Sequence, residues 1–329
     1  MPIADDRFTW QDGERTIHFG DGALADALDA LGDGFTLLTT ARARAMAPKL
    51  AARAGAEHEV PAGRVDEIAG ALLGVVDAGG LLVALGGGRV IDVAKALAAA
   101  RQPGRRPRVA AVPTTLSAAE MTAVHRRATV ADVSLPGVRP AIVVNDPALS
   151  ASQPDADLAA SAANALGHAV EGPATTRSSP VPALAGREAT RLIGAAYAGD
   201  GDDEPDRVAL ALGALLSGYA IDACGYGLHH VVSQTLARLG GVGHGPANAA
   251  MLPHTLPALD RRGAAGAVDL VELATRLARR AGAARLRELG VDDGVIDACA
   301  DAAAARSELD LTPPRADRDE LRALYAAAL

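Results

Sequence analysis

The feature that most constrains this 329-residue chain is a run of three glycines, Gly86, Gly87 and Gly88. The apolar run at 81–85 before it is typical of a buried strand, and apolar residues over 90–97 recur with helical spacing. Glycines at such a junction bring bare N–H groups close to an anion, and the helix start adds a positive dipole end. The sequence predicts a pyrophosphate site, most simply that of a dinucleotide. Because neither G-x-G-x-x-G nor a P-loop ending is present, a plain glycine-rich turn stays open as the alternative.

The first half of the chain alternates between strand-like and helix-like segments. The predicted strands are 15–19, 35–40, 57–60, 81–85, 108–112 and 141–144. The predicted helices are 23–31, 43–54, 65–76 and the one after the glycines. Such alternation predicts a parallel sheet covered on both faces.

After Asn145-Asp146-Pro147 no further strand is predicted. Helical periodicity covers 156–172, 183–198, 206–223, 226–239, 246–259, 267–288, 292–306 and 317–328. We therefore expect an α/β chain with two domains. Residues 1–150 form a Rossmann-like nucleotide-binding domain, and residues 151–329 form an all-helical domain with the substrate or metal site.

Composition excludes several classes of protein. A net charge of −8 argues against a nucleic-acid binder. Two cysteines, Cys224 and Cys299, are too few for a disulfide framework or a cysteine-based zinc site. No apolar run approaches the roughly 18 residues of a membrane span, and residues 1–6 lack the pattern of a signal peptide. We expect a cytoplasmic protein with no nucleic-acid or membrane partner.

Five of the eight histidines fall in the second half of the chain, between residues 168 and 254. His168 follows Asn164 at i, i+4 on one predicted helix, and His230 lies at the start of another. His244 stands at a loop-to-helix junction. Histidines from three segments can converge into a metal site or a proton-transfer site.

Several motifs occur in the order found in one enzyme family. Gly86-Gly87-Gly88 with Asp92 and Lys95 resembles a phosphate loop, and 112–122 resembles a second cofactor segment. The stretches 164–171, 227–230 and 244–253 resemble site helices. Together they resemble the iron-containing alcohol dehydrogenase superfamily, which shares the dehydroquinate synthase fold, and more narrowly its maleylacetate reductase branch.

The resemblance implies an NAD(P)H-dependent reductase that works as a homodimer. The cofactor would lie in a cleft between the domains, with its pyrophosphate on Gly87 and Gly88 and with Thr114, Thr115 and Ser117 along it. Hydride would pass to an enone or carbonyl carbon of a small substrate with a carboxylate, where positioned polar groups stabilise the oxyanion and a protonated histidine completes the transfer.

Iron-dependent members of the superfamily hold a cation with one Asp and three His. The matching positions here are Asn164, His168, His230 and His244, so the acidic ligand is an amide. Three neutral imidazoles can still hold zinc, and the ligands would then be the three histidines. Asn at this position resembles the reductase branch, which is thought to work without metal, so we favour no tightly bound metal. The histidines then act as hydrogen-bond donors and acids.

Three departures from the family pattern leave alternatives open. Arg89 stands where the family usually has Ser, and Gln234 where many relatives place a second histidine. His125 stands where members of the reductase branch have an aromatic residue. It is either an extra catalytic acid or carboxylate ligand, or a residue at the edge of the site. The alternatives are a metal-dependent alcohol dehydrogenase of the same fold, and a member repurposed as a lyase, isomerase, cyclase or binding protein.

Cofactor choice is indicated by the segment after the strand at 35–40. No acid stands there to bind a ribose 2′-hydroxyl, whereas Arg42 or Arg44 could accept a 2′-phosphate. We expect NADPH or use of both cofactors. The alternative is that both arginines are solvated.

Overall fold

The computed structural model of the chain describes residues 7–76, 79–129, 136–199 and 204–329. The chain divides into two compact units, Met1–Ser152 and Gln153–Leu329. Residues 1–6, on which the expectation about a signal peptide rests, lie outside the described residues.

Unit 1 is built on a seven-stranded sheet in the order β1-β2-β7-β6-β5-β3-β4. Its strands are β1 Phe8–Asp12, β2 Arg15–Phe19, β3 Thr36–Thr39, β4 Ala56–Glu59, β5 Leu81–Gly86, β6 Arg108–Pro113 and β7 Ile142–Asn145. All neighbours are parallel except β1, which pairs antiparallel with β2 through a turn at Gly13. The predicted parallel sheet is confirmed. Edge strand β1 was not predicted, because only Phe8 and Trp10 mark its apolar side.

The helices of unit 1 cover both faces of this sheet. They are α1 Ala23–Leu31, α2 Ala41–Met46, α3 Pro48–Ala51, α4 Val65–Leu72 and α5 Gly88–Ala99. The single helix predicted at 43–54 is two helices, because Pro48 has no N–H to continue α2 and instead starts α3.

Successive residues of a strand face opposite layers, and β5 shows this clearly. Leu82 and Ala84 pack with α4 and α5 in one buried apolar cluster. Val83 and Leu85 pack with α1, α2 and α3 in the other. The strand is therefore buried on both faces, as its uninterrupted apolar sequence predicted.

Unit 2 consists of helices joined by turns and loops, with no strand among its described residues, which agrees with the predicted fold class. Its helices are α6 Asp155–Ala174, α7 Pro180–Ala196, α8 Arg207–Cys224, α9 Leu228–Leu239, α10 His244–Asp260, α11 Val271–Arg280, α12 Asp293–Ala304 and α13 Arg318–Ala328. Helix α6 contacts each of the helices from α7 to α11. The helix predicted at 267–288 is α11 between two 3₁₀ turns, and Gly282 in the left-handed region follows it.

Helix α8 is an exception to the expectation that no apolar run is long enough for a membrane span. By length and composition it passes that test, with a mean hydropathy of 1.4. However, 61% of the segment is buried inside the protein, as in a core helix, and α8 packs against α6 and α7.

Candidate functional site

The glycine turn lies where β5 passes into α5, with Gly87 at the helix N-cap position. A Cβ on Gly88 would lie 2.9 Å from the Ser117 Cβ, and one on Gly87 would lie 3.1 Å from the Thr115 Cγ2. The Thr114 N–H donates to the Gly86 carbonyl over 3.1 Å. The structure thus brings the two predicted cofactor segments together. We call residues 86–88 with residues 114–117 the glycine cradle.

The glycine cradle lies at a topological switch point of the sheet. Strands β3 and β5 are neighbours, but the chain leaves β3 towards β4 at one edge and leaves β5 towards β6 on the other side. The Thr39 hydroxyl joins them by donating to the Leu85 carbonyl over 2.9 Å. Open α/β sheets bind ligands in the crevice at the carboxyl ends of such strands.

The two predicted 2′-phosphate arginines differ in their contacts. The guanidinium of Arg42 is exposed at the start of α2, and its Nη1 donates to the Ser152 carbonyl over 3.3 Å. Arg44 is paired with Glu57 at 2.7 Å. Arg42 is therefore the better placed of the two for an added anion. Arg89 is exposed on the first turn of α5.

Lys95 is fully buried, and its ammonium is bonded within unit 1. It donates to Asp92 Oδ1 at 2.9 Å and to the carbonyls of Ala119 and Val124 at 3.0 and 2.8 Å. These bonds fasten the segment after the glycine cradle onto α5. The motif predicted Asp92 and Lys95 as cofactor-binding residues. Their contacts in the structure instead hold the segment after the glycine cradle against α5.

His125 was predicted as a catalytic candidate, but both of its ring nitrogens have backbone partners. Nε2 accepts from the Val138 N–H at 3.3 Å, so Nδ1 carries the proton and donates to the Arg126 carbonyl at 2.8 Å. Burial lowers the pKa of His125 to about 4. This neutral imidazole ties two loop segments together, which argues against a role as an acid.

Glu120 is a titratable group in unit 1 that the sequence analysis did not single out. Its side chain is buried, and Oε2 has no hydrogen-bond partner among the described residues. Burial raises the pKa of its carboxyl to about 7, against the opposing charge of Lys95. It follows the Ala119 carbonyl that Lys95 holds.

In unit 2 the structure brings together two of the three predicted histidines, His168 and His230. Helix α6 presents Asn164, His168 and Glu171 on one face, and α9 begins with His229 and His230. The rings of His168 and His230 stack with centroids 4.6 Å apart and planes 10° apart, and His229 meets His230 edge-on at 4.9 Å. We call His168, His229 and His230 the histidine cluster.

Glu171 organises the start of α9, a role the sequence analysis did not assign to it. Its carboxyl oxygens accept the backbone N–H of His229 at 2.5 Å and that of His230 at 3.3 Å. Its Oε2 also lies 2.6 Å from His230 Nδ1. Burial raises the pKa of Glu171, while the backbone N–H groups oppose that rise. The i, i+3 spacing from His168 indicated only that the two side chains share one face of α6.

Burial also governs the charge of the histidine cluster. It lowers the pKa of His229 and of His230 to about 3, and that of His168 well below its ordinary value, with neighbouring imidazoles adding to the effect. The cluster is therefore neutral near pH 7.

His244 is exposed at the first position of α10, and buried Asn248 lies one turn later. The Asn248 amide donates from Nδ2 to the His244 carbonyl at 2.8 Å and lies 3.2 Å from His244 Nε2. The Ser233 hydroxyl donates to the Asn248 Oδ1 over 2.9 Å. This series of hydrogen bonds fixes the Asn248 amide and, through it, the orientation of the His244 ring.

A second group beside the cluster was not predicted. The Tyr226 ring lies 5.8 Å from the His230 ring, and its hydroxyl accepts from Arg306 at 3.1 Å. Arg306 also donates to Gln234 Oε1 at 3.0 Å and pairs with Glu308. Gln234, which stands where many relatives have a second histidine, thus binds the side chain of Arg306. Arg306 lies 72 residues beyond Gln234, so no local pattern could reveal this contact.

The donor set does not fit a tightly held divalent cation. Ring lone pairs lie in the ring planes, and the planes of His168 and His230 are nearly parallel, so these lone pairs do not converge on one point. Asn164 contributes no negative charge. Among the described residues, no three His, Cys, Asp or Glu side chains form a group that could hold a metal.

Comparisons with known proteins agree with this architecture. Residues 158–262 match the model of the C-terminal domain of the iron-containing alcohol dehydrogenase family. The crystal structure of maleylacetate reductase from Rhizobium sp. strain MTP-10005 is 24% identical and superposes with a TM-score of 0.81, covering 98% of each chain. At that identity the match shows the fold.

Two curated relatives are similar in sequence over most of their length. Maleylacetate reductase from Pseudomonas aeruginosa is 30% identical over 293 residues, which is 83% of this chain and 80% of the relative. Maleylacetate reductase from Sphingobium indicum is 30% identical over 259 residues, 73% of this chain and 72% of the relative. These matches show that the chain is an enzyme and belongs to the iron-containing alcohol dehydrogenase family of NAD(P)-dependent oxidoreductases.

Proposed function

We propose that this enzyme is an NAD(P)H-dependent reductase of the maleylacetate reductase kind. It reduces an enone or carbonyl carbon of a small substrate that carries a carboxylate. The observation that carries this proposal is the 30% identity shared with the Pseudomonas aeruginosa maleylacetate reductase over 80% of that relative. The glycine turn between β5 and α5, at the switch point of the sheet, supports the cofactor half of the proposal independently.

The cofactor binds in unit 1. A Cβ would collide with Ser117 at Gly88 and would lie tightly against Thr115 at Gly87, so the glycines let residues 114–117 pack closely on the turn. The bare N–H groups of such a turn at a helix start suit a pyrophosphate. The hydroxyls of Thr115 and Ser117 line the same cradle, and Arg42 would take a 2′-phosphate. When bound, the reduced nicotinamide supplies the hydride. We propose NADPH, or use of both cofactors.

The substrate binds in unit 2 at the histidine cluster. Glu171 holds the ring of His230, and Asn248 holds that of His244. Because burial keeps His168 and His230 neutral, exposed His244 is the imidazole suited to exchange a proton between solvent and substrate. Together these residues bind, orient and protonate the substrate.

We propose that the reaction needs no tightly bound metal. The neutral amide of Asn164 and the parallel rings of His168 and His230 support this. Elemental analysis of the purified enzyme, with activity measured before and after chelation, tests the proposal. Stoichiometric metal together with loss of activity on chelation would instead support the metal-dependent alcohol dehydrogenase.

Oxidation of NADPH and NADH, followed by absorbance with a panel of enones, oxo acids and aldehydes, tests the reductase itself. We expect steady turnover with oxo or enone acids and none with uncharged aldehydes. Absence of turnover with the whole panel would favour the non-redox alternative. We also propose a cytoplasmic homodimer, which light scattering after size-exclusion chromatography and cell fractionation would test.

A further inference from the structure

Glu171 and His230 form a buried hydrogen-bonded pair in unit 2. The carboxyl of Glu171 is 0% exposed and the imidazole of His230 is 3% exposed, with 2.6 Å between Oε2 and Nδ1. The contact holds one proton. Which of the two atoms carries it decides whether the other ring nitrogen of His230 donates or accepts.

The surroundings of Glu171 favour a carboxylate. Helix α9 has no side-chain cap of its own at Gly227, and Glu171 caps it from α6 by accepting the N–H groups of His229 and His230. Donors of a first helical turn, together with its dipole, favour an anion. The proton therefore lies on His230 Nδ1, and Nε2 presents a bare lone pair.

His229 is fixed in the same tautomer by a different partner. The Thr255 hydroxyl is 3.1 Å from the Met251 carbonyl, to which it donates, and 2.8 Å from His229 Nδ1, from which it accepts. His229 Nε2 therefore carries no proton either. The Nε2 atoms of His229 and His230 can thus both accept a hydrogen bond, and neither can donate one.

The lone pair of His230 Nε2 is buried and has no hydrogen-bond partner among the described residues. Asn164 Oδ1 and His168 Nδ1, from the facing helix α6, are also buried without a partner in that part of the chain. A buried acceptor left unpaired is destabilising, so the site favours a ligand that donates a hydrogen bond. A cation does not fit here, because the rings do not converge.

We propose that His230 Nε2 accepts a hydrogen bond from a hydroxyl group of the ligand, and that Glu171 is the positioning residue that makes it an acceptor. The ligand class is then a carboxylic acid that carries a hydroxyl, as the enol form of an oxo acid or as an alcohol. This inference rests on the proposed function, which supplies the carboxylate of the ligand. It deepens that function by placing the hydroxyl of the ligand at the histidine cluster.

The tautomer is measured by ¹⁵N–¹H correlation spectra of the full chain with ¹⁵N-labelled histidine, the His230 signals being assigned by their loss in His230→Asn. We expect the proton on Nδ1. A proton on Nε2 in the wild type would overturn the proposal. This measurement uses no cofactor and no turnover, so it stands even if the reductase assignment fails.

Glu171→Gln tests the positioning role. Its amide oxygen would accept the closer donor, His229 N–H, and its NH₂ would face His230 Nδ1, so the ring proton would move to Nε2. Glu188→Gln is the matched control, an exposed Glu on α7 that pairs with Arg191. If Glu171 only caps α9, Glu171→Gln would lower the Tm and leave the His230 tautomer unchanged, which would refute the positioning role.

Ligand preference is tested with malate and 2-methoxysuccinate, which differ only in hydroxyl against methyl ether. We expect malate to shift the His230 Nε2 signal with at least about tenfold higher affinity, since sites built for a donor reject analogues that lack it. The pair 3-hydroxybenzoate and 3-methoxybenzoate tests the enol-like hydroxyl, and the pair with the larger ratio identifies the form bound. Equal affinities within both pairs, or no shift with any of the four probes, would overturn the proposal.

Discussion

Replacing Gly88 by Ala tests the glycine cradle most directly. Gly88 has an ordinary helical conformation at the start of α5, so Ala is not strained there and gains up to about 1 kcal/mol of helix propensity. The added Cβ would lie 2.9 Å from both the Cβ and the Oγ of Ser117. Optimal contact between carbon atoms is roughly 3.5–4.0 Å, so the 114–117 segment must move away.

The cost of such overpacking is about 1–3 kcal/mol. Part of it is offset by the gain in helix propensity, so we expect the Tm of the free enzyme to change by only a few degrees. Cofactor binding has no such offset, because a displaced Ser117 opens the cradle around the pyrophosphate. The Kd for NADPH should rise about tenfold or more, which corresponds to about 1.4 kcal/mol or more.

The assay is isothermal titration with NADPH, alongside thermal unfolding of the free enzyme. Gly74→Ala is the matched control, because a Cβ there meets nothing within 4 Å. The double variant Gly88→Ala/Ser117→Gly removes the colliding Cβ and should recover most of the lost affinity. If Gly88→Ala bound NADPH as tightly as Gly74→Ala does, the cofactor would not occupy the cradle.

Three further changes probe other parts of the two units. His244→Ala should lower kcat by about 10²–10⁴-fold and leave the Kd for NADPH within about twofold, as expected for a proton donor; equal losses in both would place His244 outside the substrate site. Burial raises the pKa of Glu120 from 4.5 to about 7, so stability falls as pH rises through that window, by roughly 3 kcal/mol in all. Glu120→Gln should therefore raise the Tm more at about pH 8 than at about pH 5, and an equal gain at both would exclude this titration. Lys95→Met should lower the free energy of unfolding by about 3–5 kcal/mol, because it leaves Asp92 and two carbonyls without their cation; weaker NADPH binding at unchanged stability would instead show that Lys95 binds phosphate.

The parts of the fold that could be predicted from the sequence depend on local patterns. Gly86, Gly87 and Gly88 mark a tight strand-to-helix turn because residues without Cβ adopt such a turn readily, and the glycine run is visible in the sequence. The apolar run of β5 predicted burial on both faces for the same kind of reason. Antiparallel β1 was not predicted because it is short and half-exposed, with only two apolar side chains on its inner side.

Roles that depend on distant partners could not be predicted. The ammonium of Lys95 is held by carbonyls 24 and 29 residues away, and Arg306 reaches Gln234 across 72 residues. His125 could be singled out as unusual, but only the fold shows that Val138 and Arg126 occupy both of its nitrogens. The family motifs predicted that His168 of α6 and His230 of α9 lie in one site. They could not predict the tautomers, which depend on Glu171 and Thr255.

Asn164→Asp distinguishes the two reasons why the histidine cluster does not fit a cation. Asn164 is 5% exposed, so a carboxylate there would be a buried anion beside neutral imidazoles, and a divalent cation would relieve it. If the missing charge is the main obstacle, the variant should bind Zn²⁺ at least about tenfold more tightly than the wild type, measured by competition with a chelating dye. Asn145→Asp, a buried amide of unit 1, is the control. No gain in Zn²⁺ affinity would mean that the stacked rings of His168 and His230 exclude the cation whatever the charge at 164. The proposed absence of a tightly bound metal would then follow from ring packing on α6 and α9.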